Sequence, residues 1–109
     1  MSFKETDARI RIDKMLLESG WKLPGWHKDK EINVKTEIKN EHGEADYVLL
    51  NSKGFFLCTV EAKNSSKSPL VGKEKSREYA QSLRSRFIIL SNGIKHYLWD
   101  TKLGNPHLI

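Results

Sequence analysis

The first apolar positions of the chain recur at the spacing of an α-helix. Between residues 6 and 19 they form one stripe, made of Ala8, Ile12, Met15 and Leu16. The preceding tetrapeptide SFKE has the form of a capping box, in which Ser2 caps the helix and Glu5 reaches back to it. Gly20 suits the left-handed position that follows a helix, and Trp21 is placed to pack back on the last turn.

The next part of the chain has the short apolar runs of β-strands. A first strand is predicted at about residues 32–38, and the residues NEHG form a turn after it. Two longer runs follow, DYVLL beginning at Asp46 and FFLCTVEAK ending at Lys63. The residues NSKG between them predict a hairpin connection, in which Gly54 is free to adopt a positive φ.

A polar loop over residues 63–72 leads to a second helix and two more strands. Residues 73–85 place Tyr79, Ala80 and Leu83 on one face of the helix. The run RFIILS is a buried strand by length and β-branching, and IKHYLWD is its partner across a type I′ turn at Asn92 and Gly93. The final residues GNPHLI predict no element. The predicted order is α-β-β-β-α-β-β.

Length and composition predict a single cytoplasmic domain. The chain has 109 residues, of which 38% are apolar and 30% charged, as is typical of one globular domain. No apolar run approaches the roughly 20 residues that span a membrane, and the N-terminus lacks the apolar core of a signal peptide. Cys58 is the one cysteine, so it has no partner for an internal disulfide. Its position in a strand predicts a buried side chain and fits a reducing compartment.

The positive charge is concentrated in one stretch. The net charge is +5 and the isoelectric point is about 9.4. Between residues 63 and 86 the acidic residues are Glu74 and Glu78, against the basic residues Lys63, Lys67, Lys73, Lys75, Arg77, Arg84 and Arg86. Two interpretations are open: a solvated helix face, or a surface that binds a polyanion such as nucleic acid.

Three charged residues stand at the ends of otherwise apolar strands. Glu61 and Lys63 lie two positions apart and therefore on the same face of their strand, with Ala62 opposite. Asp46 opens the neighbouring antiparallel strand near the same end of the sheet. Two carboxylates that close repel each other, and Mg²⁺ would relieve the repulsion. Such an ion can activate water beside a phosphodiester, and Lys63 could orient that water or meet developing charge. The alternative is an exposed strand end with an incidental Glu–Lys pair.

The segments ADYVLL (residues 45–50) and VEAK (60–63) resemble the PD-(D/E)xK nuclease superfamily. More narrowly, the chain is similar to the N-terminal nuclease domain of the restriction (R, HsdR-like) subunit of type I restriction enzymes. The similarity extends to RIDKMLLESGW, TEIKNEHGEADYVLL, KSREYA and IILSNGIKHYLWD. It implies an α/β, restriction-endonuclease-like core with a mixed central β-sheet flanked by helices. It also implies that residues 1–109 are one such domain from the N-terminal part of a longer chain.

The resemblance implies a role for each residue of the site. Asp46 and Glu61 would ligate Mg²⁺, the backbone carbonyl of Ala62 would be a further ligand, and Lys63 would assist attack. Glu37 falls in the glutamate-bearing strand of the family, where it is either an accessory residue or a solvated strand residue.

The helix after the E-x-K strand departs from the family in one position. Tyr79 matches the tyrosine of the Q-x-x-x-Y pattern of the RecB-like branch, whereas Lys75 replaces the glutamine. Tyr79 has a second interpretation, as part of a buried helix face. In the light of the resemblance, Lys73, Lys75 and Arg77 are predicted to contact the DNA backbone.

The predicted function is Mg²⁺-dependent cleavage of double-stranded DNA as the nuclease module of a type I R subunit. ATP is implied only for translocase regions elsewhere in the subunit, and modification and specificity subunits would be partners. Two alternatives stay open. One is a stand-alone nuclease of the superfamily, such as a junction resolvase or repair nuclease. The other is a non-catalytic nucleic-acid-binding or assembly domain.

Overall fold

Six β-strands form one sheet that carries a helix on each face. The computed structural model describes residues 3–109, and their side chains from residue 6 onward. The capping box predicted from Ser2 and Glu5 lies outside the described residues. The helices are α1 (Phe3–Glu18) and α2 (Lys73–Ser82), and a 3₁₀ turn spans Asp29–Glu31. The strands are β1 (Val34–Asn40), β2 (Gly43–Leu50), β3 (Phe56–Ala62), β4 (Phe87–Ser91), β5 (His96–Asp100) and β6 (His107–Leu108).

Helix α1 packs one apolar stripe on the sheet and ends as its sequence predicts. Ala8, Ile12 and Leu16 are buried. At the C-terminus the N–H of Gly20 donates to the carbonyl of Leu17, and the N–H of Trp21 donates to that of Leu16. Gly20 has a φ of 94°, so this is the left-handed glycine termination known as a Schellman motif.

The strands lie in the sheet in chain order, from β1 to β6. Within the described sheet β3 and β4 are parallel, and the other neighbouring strands are antiparallel. A parallel pair requires a crossover connection, which the loop over residues 63–72 and α2 supply. The sheet is therefore mixed, as predicted, and β3 lies between β2 and β4.

The two faces of the sheet have separate cores. On one face Ile12 and Leu16 of α1 pack with Tyr47, Val60 and other buried residues of β2 and β3. Cys58 belongs to this core, where it is buried as predicted, and burial raises the pKa of its thiol to about 12. On the other face Tyr79 of α2 packs with Ala45 and Val48 of β2.

The connection between β2 and β3 confirms the predicted hairpin. The side-chain oxygen of Asn51 accepts hydrogen bonds from the backbone N–H groups of Lys53 and Phe55, at 2.9 and 3.0 Å. Gly54 has a φ of 83°, which is the freedom expected of a glycine at this position.

Strands β4 and β5 pair as predicted, but the turn that connects them is not the predicted type I′ turn. Ser91 pairs with His96, and beyond this pair the N–H of Asn92 donates to the carbonyl of Lys95 at 3.3 Å. The central residues of the turn are therefore Gly93 and Ile94, and not Asn92 and Gly93. A type I′ turn needs positive φ at both central residues. Gly93 has one, but among the described non-glycine residues only Glu37 and Arg84 do. The Asn92 side chain instead accepts hydrogen bonds from the N–H groups of Ile94 and Lys95, at 2.9 and 2.8 Å, and this local turn replaces type I′.

Two further boundaries differ from the prediction. Helix α2 ends at Ser82, before the predicted residue 85, because Arg84 takes a φ of 57° and the N–H of Ser85 donates to the carbonyl of Ala80. The C-terminal segment forms β6, which pairs Leu108 with Tyr97. The order predicted from the sequence thus gains one short strand.

In the described part of the chain, no helix has the length and apolar character needed to cross a membrane.

Candidate functional site

Asp46 and Glu61 come together where the pairing of β2 with β3 ends. Tyr47 pairs with Val60, so Asp46 and Glu61 occupy the next position of the same register, just beyond the last backbone pair. There the Oδ2 atom of Asp46 accepts a hydrogen bond of 2.7 Å from the backbone N–H of Ala62. A side-chain carboxylate thus continues the contact between the two strands after their backbone pairing has ended.

Glu61 and Lys63 line a cleft on the face of the sheet that carries α2. Ala62 points the other way, into the core against α1, where it is 6% exposed. The cleft has a volume of about 560 Å³ and is bounded by the β1–β2 turn, the end of β3 and the start of α2. Its lining residues are Lys39, Asn40, Glu41, His42, Gly43, Glu44, Glu61, Lys63, Gly72, Lys75, Ser76 and Tyr79. Asp46 lies beside this lining, at the hydrogen bond with Ala62.

The electrostatic environment of Glu61 disfavours its charged form. Burial is the largest cause, and the carboxylates of Asp46 and Glu44 add to it, while Lys63 acts in the opposite direction. Together they raise the pKa of Glu61 to about 8. Without a cation this carboxyl is therefore mainly protonated at neutral pH, and a bound cation would favour its ionised form.

The residues around Asp46 suit a metal with few protein ligands. Among the described residues, no group of three or more histidine, cysteine, aspartate or glutamate side chains could hold a metal ion. The candidate donors are the carboxylates of Asp46 and Glu61, to which the resemblance adds the carbonyl of Ala62. Mg²⁺ is usually held by one or two carboxylates and keeps several waters, so this donor set fits Mg²⁺ and not a closed structural site.

Backbone contacts fix the position of Lys63. Its N–H donates to the carbonyl of Ser91 on β4, at 2.8 Å. The loop that follows is tied to the β4–β5 connection, because the side-chain amide of Asn92 donates to the carbonyl of Lys67 at 2.8 Å. The Nζ atom of Lys63 lies near Gly72, at 3.5 Å from where a Cβ on that residue would be. Lys63 therefore spans the cleft toward the start of α2.

The three basic residues predicted to bind DNA do not share one surface. Lys75 lines the cleft. The ammonium of Lys73 lies 5.8 Å from the ring centroid of Trp99, and the guanidinium of Arg77 pairs with Glu74 at 2.7 Å. On a helix, consecutive residues are rotated by about 100° around the axis. Lys75 is two positions from both Lys73 and Arg77, so it projects from nearly the opposite side of the helix. The structure brings Lys75 to Glu61 and Lys63, and it leaves Lys73 and Arg77 outside the cleft.

The two accessory candidates have structural partners. Tyr79 is 2% exposed, packs in the core and donates its hydroxyl to the carbonyl of Ile38 at 2.7 Å. This is the buried helix face that one of its two interpretations predicted, although the ring also borders the cleft. Glu37 pairs with the guanidinium of Arg9 at 3.2 Å and does not line the cleft.

Sequence reasoning missed several residues of this region. Arg9 lies beside the apolar stripe of α1. Its partner Glu37 is 28 residues away along the chain, so no local pattern predicted their ion pair. Lys39 lines the cleft from the end of β1, and His42 lines it from the turn that follows. Their position next to a predicted turn indicated that they are exposed, but it did not indicate that they lie near Glu61.

The six-stranded mixed sheet, with a helix on each face and a cleft at the end of β3, fits a restriction-endonuclease-like fold. A solved structure with this fold is a fragment of a protein from Vibrio vulnificus YJ016, described as an HsdR subunit of a type I restriction enzyme. The TM-score is 0.76 and the sequence identity is 23%. The match covers 100% of this chain and 23% of the other. Neither a scan against models of protein families nor a search of curated proteins finds a match. At this identity the likeness shows a common fold.

Proposed function

We propose that this chain is a Mg²⁺-dependent endodeoxyribonuclease domain, the cleavage module of a type I restriction enzyme R subunit. The observation that carries the proposal is the meeting of Asp46 and Glu61 where the pairing of β2 with β3 ends, with Lys63 two positions further on. Repulsion and burial raise the pKa of Glu61 to about 8. A divalent cation would remove that repulsion, and a phosphodiester could then complete its coordination shell.

Each residue of the site has a role in this proposal. Asp46, Glu61 and the carbonyl of Ala62 would hold Mg²⁺. The N–H and C=O of one strand residue point to the same side, so the Ala62 carbonyl faces Asp46 as its N–H does. The ion would supply Lewis-acid polarisation of the phosphodiester and of the attacking water. Lys63 would orient that water or donate to the phosphate oxygen that gains negative charge.

The cleft would receive the DNA backbone. Lys39 lines it from the end of β1, and Lys75 lines it from α2. Their charges would neutralise phosphates without reading the sequence, which suits a nuclease whose target is selected elsewhere. Lys73 and Arg77 would contact the backbone outside the cleft, so we expect them to contribute less than Lys75.

We propose that the chain belongs to the N-terminal part of a longer R subunit. Support comes from the fold match to the Vibrio vulnificus HsdR fragment, of which this chain spans 23%. In such a subunit ATP would bind to translocase regions beyond this domain. Modification and specificity subunits would select the DNA, and the complex would act in the cytoplasm.

The substitution Lys63→Ala tests the proposed chemistry, because it leaves Asp46, Glu61 and Ala62 in place. Loss of the cation that assists attack should lower the cleavage rate by on the order of 10²–10³, or roughly 3–4 kcal/mol. The rate is measured on double-stranded DNA with Mg²⁺, first with the chain and then with the assembled complex and ATP. Lys67→Ala is the matched control, since this exposed lysine lies in the same loop and does not line the cleft.

The outcomes separate the three functions. A complex with Lys63→Ala that translocates and cleaves at the parental rate would contradict the catalytic role and favour a non-catalytic binding or assembly domain. Efficient cleavage by the chain without ATP or other subunits would favour a stand-alone nuclease. Cleavage that needs the complex and fails only with Lys63→Ala supports the proposal.

A further inference from the structure

Strand β1 has an unusual backbone conformation at Glu37. This residue has a φ of 54°, which is uncommon for a residue with a side chain and persists only where the surroundings hold it. The distortion lies directly beside Asp46. Thr36 pairs with Tyr47 and Ile38 with Ala45, while the intervening pair of Glu37 with Asp46 is missing from the ladder.

The side chains of β2 change face beside the distorted residue. In a regular strand, residues two positions apart share a face. Tyr47 nevertheless packs in the core with α1, and Ala45 packs in the core with α2. Asp46 lies at this change of face. Its carboxylate is therefore directed between β2 and β3, where it accepts the hydrogen bond from Ala62.

Arg9 of α1 contacts the distorted residue. Its guanidinium pairs with the carboxylate of Glu37 at 3.2 Å and lies 5.3 Å from the ring centroid of Tyr47. The Arg9 side chain is 15% exposed, whereas that of Glu37 is 61% exposed. The Tyr47 hydroxyl in turn donates to Asp13 of the same helix, at 2.5 Å. The cation is thus fixed by α1 and by the ring, and Glu37 reaches toward it.

Arg9 also interacts electrostatically with Asp46. Burial alone would lower the pKa of the guanidinium, but Tyr47, Asp46 and Glu37 outweigh it and raise the pKa. The Arg9 guanidinium therefore attracts both carboxylates, that of Glu37 through a direct contact and that of Asp46 at longer range.

We infer that Arg9 is a positioning residue for the proposed metal site: by pairing with Glu37, it holds the left-handed backbone that directs Asp46 toward Ala62. The consequence for metal binding rests on the proposed function, whereas the geometry does not depend on it. In this assignment the Glu37 carboxylate acts through the backbone of β1 and is not itself a metal ligand.

The first test replaces Arg9 by methionine, which keeps an apolar stem and removes the charge. Two quantities are measured in the chain: the NMR shift of the Ala62 amide proton, which reports its hydrogen bond to Asp46, and the affinity for Mn²⁺. In Arg9→Met the Ala62 resonance should move upfield and the affinity should fall by about tenfold or more. Arg11→Met is the control, because Arg11 lies on the same helix and pairs with Asp7.

The second test compares two replacements of Glu37. Both Glu37→Ala and Glu37→Gly remove the ion pair, but only glycine accommodates a positive φ without cost. Glu37→Ala should reproduce the defect of Arg9→Met. The double variant Arg9→Met with Glu37→Gly should recover the parental Ala62 resonance and Mn²⁺ affinity. A role of Arg9 limited to the packing of α1 would not be rescued by a glycine on β1.

Each outcome is decisive. An unchanged Ala62 resonance in Arg9→Met or Glu37→Ala would overturn the inference, and so would a failure of glycine to restore it. Should Arg9→Met not fold, the comparison of Glu37→Ala with Glu37→Gly decides alone, because neither replaces a residue of α1. If the parent chain binds Mn²⁺ no better than Asp46→Asn does, the proposed function fails, and the Ala62 resonance still tests the positioning by Arg9.

Discussion

At the scale of single residues, Glu61 links the stability of the metal-free chain to pH. Its pKa rises from an ordinary value of 4.5 to about 8 on folding, first because of burial and then because of Asp46. For an acid with a raised pKa, the folded state binds the proton more tightly than the unfolded state does. The stabilisation by that proton is complete below pH 4.5 and is lost as the pH rises through about 8.

We therefore expect the free energy of unfolding to fall between these two pH values in the absence of metal. The contribution of Glu61 to the slope is at most about 1.4 kcal/mol per pH unit. Urea unfolding over this range, in the presence of a chelator, measures it. Glu61→Gln should remove this contribution, and Glu78→Gln, on the exposed side of α2, should keep it. Equal slopes for the parent and Glu61→Gln would contradict the prediction.

At the scale of elements, the β4–β5 turn packs directly on α1. A Cβ on Gly93 would lie 2.9 Å from the Cα of Ala8, whereas a Cβ on Gly54 would meet nothing within 4 Å. Both glycines have a positive φ, of 87° and 83°. Alanine at either position bears the backbone cost of about 1 kcal/mol, but only at Gly93 does it also collide with a helix.

Gly93→Ala should accordingly destabilise the chain by about 1–3 kcal/mol more than Gly54→Ala does. The free energy of unfolding of the two variants, measured by urea titration, gives the difference directly. Because the backbone cost is common to both, the difference isolates the contact between the turn and α1. Equal losses of stability would show that the turn can move away from the helix without cost.

The basic residues of α2 are predicted to differ in their contribution to DNA binding. Lys75→Ala should weaken binding to all sequences and lower the salt slope by about one unit, because Lys75 lines the cleft. Arg77→Ala should change the slope less, since its guanidinium already pairs with Glu74. Fluorescence anisotropy of labelled DNA at several salt concentrations measures both. A larger effect of Arg77→Ala would place the DNA on the outer face of α2.

Sequence patterns predicted the elements whose conformation is determined by residues close together in the chain. Gly20 and Gly54 end a helix and close a hairpin because each supplies a positive φ that its neighbours do not. The turn at Asn92 was misjudged because the asparagine uses its side chain as an acceptor in place of a left-handed backbone. Strand β6 is held by pairing with β5, and a two-residue strand has no periodicity of its own.

The site was predictable only in part, because some of its contacts join residues that are distant in the chain. Strand alternation is sufficient to place Glu61 and Lys63 on one face. The direction of Asp46 depends on a left-handed Glu37 and on Arg9, which is distant in sequence, and no local pattern shows either. The separation of Lys75 from Lys73 and Arg77, by contrast, follows from the 100° step of a helix and was within reach of the sequence.

At the scale of the whole molecule, binding of the proposed metal should stabilise the fold. An ion that binds only the folded state adds about 1.4 kcal/mol at a free concentration about ten times its dissociation constant. Thermal unfolding with increasing Mn²⁺ should therefore show a rising midpoint for the parent chain. Asp46→Asn should lose this response, while Glu78→Gln should retain it. An equal rise in Asp46→Asn would place the ion elsewhere on the protein.

The parallel pair of β3 and β4 separates two runs of antiparallel strands in the described chain. Strands β1–β3 are one run of neighbouring hairpins, and β4–β6 are a second. Joining them closes the longer loop that contains α2, and longer loops cost more entropy to close. Lys63 and Lys75 both lie in that crossover. Folding is therefore expected to complete the cleft last. A chain halted before this step would hold Asp46 beside Glu61 without the wall that α2 supplies.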